Sequence, residues 1–295
     1  MRVHTLDLYF HGHPQIIAAF LVECGDQLVL IETGPGSTLP TLLQQIKEKG
    51  FEPAQIKHVF VTHIHLDHAG AAGWWAQQGA TVYVHPRGAA HLIDPSKLMA
   101  SATQVYGDAM ERLWGEMLPA PADKVVSLND GQTVKIGGEV FTAIDTPGHA
   151  RHHHAFLCRD VCFTGDVAGV RLPGCDYLSV AAAPPQFDPV AYNDSIEKLR
   201  ALNLKKLYLT HFGEVTDVSD HLSRYALRVS QVHETVERFM AGGLRGDALR
   251  KAFHEAEHAF AIEEGLSAAD WKRYDAANST AMSADGIALF CAKAR

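Results

Sequence analysis

The chain has 295 residues, of which 47% are hydrophobic and 20% charged, as in an ordered globular protein of one large domain or one domain with an annex. The formal net charge of −8 excludes the concentrated basic surface that nucleic-acid binding requires. No segment approaches the ~20 apolar residues of a membrane span and the N-terminus has no apolar signal core, so we expect a cytoplasmic protein with neither a membrane nor a nucleic-acid partner.

The first third of the chain predicts strands that alternate with helices. Residues 28–31 form an apolar run typical of a strand, and Ser37 is a candidate N-cap for a helix over 38–49. A buried strand is predicted over 58–62, and a helix rich in small residues leads to another strand at 81–84. This order favours βαβ units.

A dense group of histidines and an aspartate follows the strand at 58–62. The chain reads T-H-I-H-L-D-H-A-G there and places His63, His65, Asp67 and His68 within six residues. Imidazole nitrogens and carboxylate oxygens are ligands of borderline cations such as zinc. Side chains alternate in an extended segment, so His63 and His65 are expected to share one ion and the other two to face a second. The motif therefore predicts a two-metal site.

The middle of the chain predicts a second sheet. Turn signals at 129–131 and 137–138 separate short strands over 124–165, a helix is expected over 188–202, and 207–210 predicts a last strand. Three strand ends carry a further ligand type, namely His149, Asp166 and His211. Glycine directly before the first two allows a sharp turn close to an ion.

Beyond about residue 217, apolar residues recur with helical spacing. We therefore divide the chain into a catalytic domain over 1–216 and a helical extension over 217–295. The insertion over 92–121, which carries Tyr106 and Trp114, is expected to join these helices either as a wall of an apolar substrate pocket or as an oligomer contact. Homo-oligomerisation is therefore one of the two expectations for this segment.

These motifs together resemble the metallo-β-lactamase superfamily over roughly residues 1–215. The resemblance implies an α/β fold, an αββα sandwich with metals at one edge, here with an appended C-terminal helical region. It also implies the metal ligands, position by position: His63, His65 and His149 for the first ion, Asp67, His68 and His211 for the second, and Asp166 as the bridge.

Details within the motifs indicate a subfamily. Asp166 as the bridge resembles glyoxalase II, acyl-homoserine lactonases and the hydrolytic nucleases of the superfamily, which disfavours antibiotic hydrolysis. His65 lies where flavodiiron oxygen reductases carry a glutamate, which disfavours a redox function of that kind. The run 146–154 resembles the glyoxalase II segment TPGHTxGH, with His153 at its second histidine and with His152 and His154 as departures. Glu32 replaces the aspartate of the family's early D-T-G loop, so its longer carboxylate would have to act from a shifted position.

The resemblance implies a metal-dependent hydrolase of a small-molecule substrate, with two zinc ions per chain and iron or manganese as alternatives. We expect a metal-bridging hydroxide to cleave an ester-type bond, namely an ester, thioester or lactone. Asp166 is assigned as the bridge, Asp67 as the proton carrier to the leaving group, and Tyr177 as the oxyanion donor, although a packing role for Tyr177 stays open. The alternatives are a mononuclear iron sulfur oxygenase similar to persulfide dioxygenases and, third, a phosphodiesterase.

Overall fold

Two six-stranded sheets form the centre of the computed structural model, which describes residues 1–293. The first sheet contains, side by side in chain order, β1 Arg2–Asp7, β2 Ala18–Cys24, β3 Gln27–Ile31, β4 Ile56–Phe60, β5 Thr81–Val84 and β6 Val125–Ser127. The second sheet contains β7 Thr133–Ile136, β8 Glu139–Asp145, β9 His154–Cys158, β10 Val161–Gly165, β11 Lys206–Leu209 and β12 Gly213–Val215, also side by side in chain order. Strands β3 to β6 pair parallel, as do β10 and β11, while the remaining neighbours pair antiparallel.

Helices cover the outer faces of both sheets. The helices on the first sheet are α1 Leu39–Glu48, α2 Leu66–Ala69, α3 Ala72–Gln77, α4 Pro86–Ile93, α5 Ser96–Tyr106 and α6 Met110–Trp114. Those on the second sheet are α7 Pro189–Arg200, α8 Val218–Ala241, α9 Gly246–Glu263, α10 Ala268–Ala277 and α11 Thr280–Lys293. Within residues 1–293, no helix combines the length and apolar character needed to cross a bilayer.

Aromatic side chains fill the space between the sheets. Phe60 of the first sheet stacks on Phe141 of the second, with ring centroids 5.1 Å apart, and meets Phe156 edge-on at 5.0 Å. All three rings are fully buried. Such contacts add to the free energy of burying apolar area. With a helical layer outside each sheet, the predicted αββα sandwich is confirmed.

The structure differs from the sequence prediction at some element boundaries. The helix predicted over 38–49 is α1, but its N-cap is Thr38 and not Ser37. Ser37 donates its hydroxyl to the Leu113 carbonyl of α6 at 2.7 Å. The insertion over 92–121 contains two separate helices, α5 and α6, that are joined by a tight turn. The sequence analysis did not identify β1 and β2.

The C-terminal helices share a core with the second sheet. Leu222, Tyr225 and Val229 of α8 are fully buried in the same cluster as Leu207 and Leu209 of β11. The helices therefore form an outer layer of the sandwich. The division of the chain at residue 216 stays a prediction.

A buried ion pair ties α8 to α9 and supplies a stability prediction. Arg228 donates to the Glu257 carboxylate at 2.6 Å, and both side chains are 8% exposed. Arg228→Ala would leave that carboxylate buried without its cation, so we expect the free energy of unfolding, measured by urea denaturation, to fall by about 3–5 kcal/mol. The control is Arg224→Ala, one turn earlier, whose guanidinium pairs with Glu264 at the surface and should cost less than about 1 kcal/mol. Equal losses in the two variants would contradict the prediction.

Candidate metal centre

The ends of several strands bring the predicted ligands to one edge of the sandwich. His63 and His65 follow β4, and Asp67 and His68 lie in the single turn of the short helix α2. Asp166 directly follows β10, and His211 follows β11. Strands β10 and β11 are adjacent and parallel, so Asp166 and His211 emerge at the same edge of the second sheet, where they meet the residues that follow β4 of the first sheet.

Three imidazoles converge on one point. The Nε2 atoms of His63 and His149 lie 2.9 and 2.8 Å from Nδ1 of His65. Of these three rings only that of His65 is partly exposed. A second group is formed by Asp67, His68 and His211, in which Oδ2 of Asp67 lies 3.6 Å from His68 Nε2 and 3.4 Å from His211 Nε2.

Asp166 divides its two oxygens between these groups. Its Oδ2 lies 3.2 Å from His149 Nε2 and 3.9 Å from His63 Nε2. Its Oδ1 lies 3.2 Å from His68 Nε2 and 3.5 Å from His211 Nε2. The carboxylate is 4% exposed and therefore lies between the groups rather than in solvent. This is the placement of a residue that bridges two binding positions.

Oxygen atoms behind the histidines fix the orientation of the rings. The Nδ1 atoms of His149 and His211 each lie 2.8 Å from a backbone carbonyl, that of Ala181 and that of Ile16. A carbonyl only accepts, so each Nδ1 carries a proton, and Nε2 is the nitrogen of each ring that points into the centre as the atom for metal binding. An outer contact of this kind is the usual support of a metal-bound histidine.

Glu32 provides the corresponding support for His68. Its carboxylate is fully buried and lies 2.9 Å from His68 Nδ1. It also accepts hydrogen bonds from the hydroxyls of Thr62 at 2.5 Å and Thr210 at 3.2 Å, and from the Thr62 backbone N–H at 3.2 Å. The longer side chain thus contacts a predicted ligand directly. The sequence analysis missed both threonines, although each directly precedes a predicted ligand, His63 or His211.

Two glycines allow the close approach of the loops. Gly148 has φ +133°, and a Cβ there would lie 2.3 Å from the Tyr192 backbone. Gly165 has φ +51°, and a Cβ there would lie 2.5 Å from the Thr62 hydroxyl and 2.7 Å from His153 Nε2. Both glycines turn sharply with positive φ, as predicted, and no other residue fits without moving the neighbouring protein atoms.

The electrostatics of the centre favour a cation. Burial opposes the charged form of His68, but Asp166, Asp67 and Glu32 outweigh it and raise the pKa of His68 well above its ordinary value. Burial also opposes ionisation of Asp67, yet His68 and His211 lower its pKa to about 2. The pKa of Asp166 is lowered as well, so both aspartates are ionised at neutral pH. A divalent ion would replace the proton that they hold on His68, so its binding releases protons.

Two facing atoms lack the partners that buried polar groups normally have. Among the described residues, His68 Nε2 and Asp166 Oδ1 lie 3.2 Å apart as an ion pair, and neither makes a hydrogen bond of normal geometry although both are buried. An orphaned buried atom of this type costs free energy unless a ligand satisfies it. Inward-facing nitrogen lone pairs and carboxylate oxygens suit a divalent transition metal. The side chains present therefore fit such ions.

Comparison with known proteins decides the family. The family model for the metallo-beta-lactamase superfamily matches residues 14–211. The chain belongs to this superfamily. It is accordingly an enzyme, a metal-dependent hydrolase. The fold of this superfamily implies binding of a divalent metal, and the structure contains groups of histidine and aspartate side chains that could hold one.

Individual relatives agree with the assignment. The chain is 30% identical over 242 residues to the metallo-beta-lactamase fold-containing protein ST1585 of Sulfurisphaera tokodaii, covering 80% of this chain and 87% of that protein. It is 28% identical over 210 residues to thioesterase pkgB of Emericella nidulans, covering 70% of this chain but only 48% of that protein. The structure of TTHA1429 from Thermus thermophilus aligns with a TM-score of 0.69 at 18% identity, over 99% of this chain and 93% of that one, which shows a shared fold.

The structure corrects the role assigned to Tyr177 in this superfamily member. Its ring is 1% exposed and packs edge-on against Tyr274 in a cluster formed with the C-terminal helices. Its hydroxyl donates to Glu257 at 2.7 Å. Burial, and then the charge of Glu257, raise the pKa of Tyr177, so the hydroxyl stays protonated and donates its proton in the hydrogen bond to Glu257. Tyr177 is therefore a packing residue and not an oxyanion donor.

The three consecutive histidines at 152–154 have different surroundings. His153 Nε2 accepts from the backbone N–H of Asp166 at 3.1 Å, so Nδ1 carries the proton and donates to the Thr146 hydroxyl at 2.8 Å. His152 is buried, with its ring 5.5 Å from that of His65. His154 points to a separate group of side chains described below. His153 is thus the member that holds Asp166 in place.

This contact gives a second prediction. His153→Ala removes the acceptor of the Asp166 N–H and leaves Thr146 without its donor, so we expect metal affinity at the centre to fall about 10–100-fold. Competition with a chromophoric chelator measures that affinity. His233→Ala, a change on α8 away from the centre, should leave it unchanged. Unchanged affinity in His153→Ala would contradict the positioning role.

Aromatic residues of the insertion lie near the centre. Tyr106 contacts Trp114 edge-on at 5.1 Å, and Trp114 stacks on Phe10 at 5.4 Å. The Tyr106 hydroxyl is 4.0 Å from the Met282 sulfur of α11. Burial, and then the negative charge of Asp67, raise the pKa of Tyr106. The three rings belong to the apolar cluster on the first sheet, in which Phe10 is buried and Tyr106 and Trp114 are partly buried.

Proposed function

We propose that the chain is a dinuclear metal-dependent hydrolase that cleaves an ester-type bond, namely an ester, a thioester or a lactone, in a small-molecule substrate. The observation that carries the proposal is the division of the Asp166 oxygens between two groups of ligand atoms. A mononuclear site needs only one of those groups. The arrangement therefore favours two ions over the single iron of a sulfur oxygenase.

In this proposal His63, His65 and His149 hold one ion and Asp67, His68 and His211 hold the other, with Asp166 between them. Zinc is the first candidate, and iron or manganese are the alternatives. Bound there, such ions lower the pKa of a coordinated water from 15.7 to about 7 and polarise a carbonyl oxygen. The chain fixes the relative position of the two groups through Asp166 and through the hydrogen bonds to the ring nitrogens.

Asp67 is the chain's own candidate for proton transfer. Its side chain is 21% exposed, whereas Asp166 is almost fully buried, so Asp67 faces the approaching substrate. Because His68 and His211 keep its pKa low, Asp67 is ionised at neutral pH and would carry the proton of the attacking water or hydroxide only transiently. We assign to it the transfer of that proton to the leaving group.

The substrate class is supported by residues of the insertion. We assign the partly buried Tyr106 and Trp114, which contact each other edge-on, to an apolar wall against an acyl chain or an aryl group. The name of pkgB, a thioesterase, points in the same direction. The net charge of −8 counts against a nucleic acid as the phosphodiester alternative.

The deciding experiment is a turnover screen of metal-quantified protein on acyl thioesters, aryl esters, lactones and phosphodiesters. We expect at least two zinc-type ions per chain and a preference for one of the first three classes, with turnover lost on chelation and restored by added metal. One iron per chain, with sulfite formed from a persulfide and oxygen, would overturn the hydrolase. A preference for phosphodiesters would overturn the substrate class.

A further inference from the structure

A second group of ligand-type side chains lies outside the metal centre. His85 follows β5 and begins α4, Asp145 is the last residue of β8, and His154 is the first residue of β9. Asp145 and His154 face each other across the antiparallel β8–β9 ladder, which puts their side chains on one side of the sheet. One ligand atom from each of the three residues lies within 4.8 Å of the others.

Within this group, polar atoms are buried without partners. His154 is fully buried, and within residues 1–293 neither of its ring nitrogens finds a hydrogen-bond partner. Asp145 Oδ1 also has none, although His85 Nε2 lies 3.3 Å away. The rings of His85 and His154 are 4.5 Å apart. A buried imidazole that makes no hydrogen bond is costly to keep, so the group lacks a ligand that would satisfy its lone pairs.

The group opens to solvent through a cavity. The cavity has a volume of about 800 Å³, and His85 and Asp145 form part of its wall. None of the seven predicted ligands of the metal centre lines it; the nearest lining residue in sequence is Gly148, next to His149. An ion and its water could therefore reach the group without passing through the metal centre.

We propose that His85, Asp145 and His154 form a separate binding site for one transition-metal ion of the zinc type. A tetrahedral zinc with bonds of ~2.0–2.1 Å holds its ligand atoms about 3.4 Å apart, which matches the spacing between His85 and Asp145. His154 completes the set of three protein ligands through a small rotation of its ring. Water from the cavity occupies the fourth position, since the Asp145 side chain is 36% exposed.

One contact limits the affinity of this site. Nδ1 of His85 accepts the backbone N–H of Arg87 at 3.0 Å, so the proton of the neutral ring lies on Nε2. To bind through Nε2 as a neutral imidazole, His85 must move that proton to Nδ1, which then no longer accepts the Arg87 N–H at the start of α4. The ion is therefore bound more weakly than the ions of the metal centre, and it leaves first during dialysis against a chelator.

The test uses the full chain, freed of metal and then titrated with Zn²⁺. We expect wild type to bind one more equivalent than Asp145→Asn, a variant that keeps the side-chain shape but removes the charge. His91→Gln on α4 is the matched control and should keep the equivalent. His154→Gln should also lose the additional equivalent of Zn²⁺. If His154→Gln does not fold, the result with Asp145→Asn decides whether the site exists.

Crystals soaked in Zn²⁺ and measured at the zinc absorption edge locate each ion. Anomalous density between His85 Nε2, Asp145 and His154, retained in Asp166→Asn, would support the site. Equal stoichiometry in wild type and Asp145→Asn, or water alone at that position in a crystal whose metal centre is filled, would overturn it. Neither result touches the proposed hydrolase, whose ions lie in the other groups of residues.

Discussion

Replacing Asp166 by asparagine is expected to abolish hydrolysis while leaving the fold intact. The asparagine nitrogen cannot act as a ligand, so only one of the two groups that Asp166 joins keeps its shared oxygen. Removing a residue that only orients a metal ligand costs about 10–100-fold in affinity or activity. Because Asp166 itself faces both groups, we expect kcat/KM to fall by more than about 100-fold, together with the loss of at least one ion from the centre.

The matched control is Asp160→Asn, at the residue directly before β10. Asp160 forms an exposed ion pair with Lys205 at 2.8 Å and contacts no predicted ligand. Its variant should retain both turnover and metal content. Circular dichroism and the urea midpoint show whether Asp166→Asn is folded. Undiminished ester or thioester hydrolysis in folded Asp166→Asn would refute the dinuclear mechanism.

The parts of the fold that the sequence predicted are those with a local signal. Alternation and helical spacing are properties of neighbouring residues, and they located β3, β5, α7 and α8 closely. Strand β2 is a continuous apolar run like that of β3 and is buried on both faces, and such a run fits a buried helix as well as a buried strand. The contact between Ser37 and α6 joins residues 76 positions apart, which local propensity does not contain.

The same distinction between local and long-range signals applies to the candidate site. The ligand residues at strand ends could be predicted because their spacing and the glycines before them are local features of the sequence. The role of Tyr177 was not, since it depends on Glu257, a residue 80 positions away on a helix of the outer layer. The reach of Glu32 likewise depends on its backbone, which has φ +63°, a left-handed conformation rare for a residue other than glycine.

Glu32→Gln is expected to damage the centre even though it preserves the size of the side chain. One carboxylate oxygen accepts from the Thr62 and Thr210 hydroxyls and faces His68 Nδ1, and the other accepts from the Thr62 N–H. A glutamine has one acceptor and one donor at these positions, so in either orientation its NH₂ group faces a donor. We expect metal affinity to fall about 10–100-fold. The free energy of unfolding of the metal-free protein should fall by about 1–3 kcal/mol.

Measuring both quantities separates positioning from simple stability. Glu48→Gln, at the exposed end of α1, removes a carboxylate without touching the centre and should change neither value. Glu32→Asp restores the residue type of the family loop but shortens the side chain, and the backbone at residue 32 keeps its left-handed turn. The shorter carboxylate then cannot reach His68 and both threonines together, so we expect Glu32→Asp to lower metal affinity as well. Wild-type affinity in Glu32→Asp would mean that the backbone, rather than the length of the side chain, sets the orientation of His68.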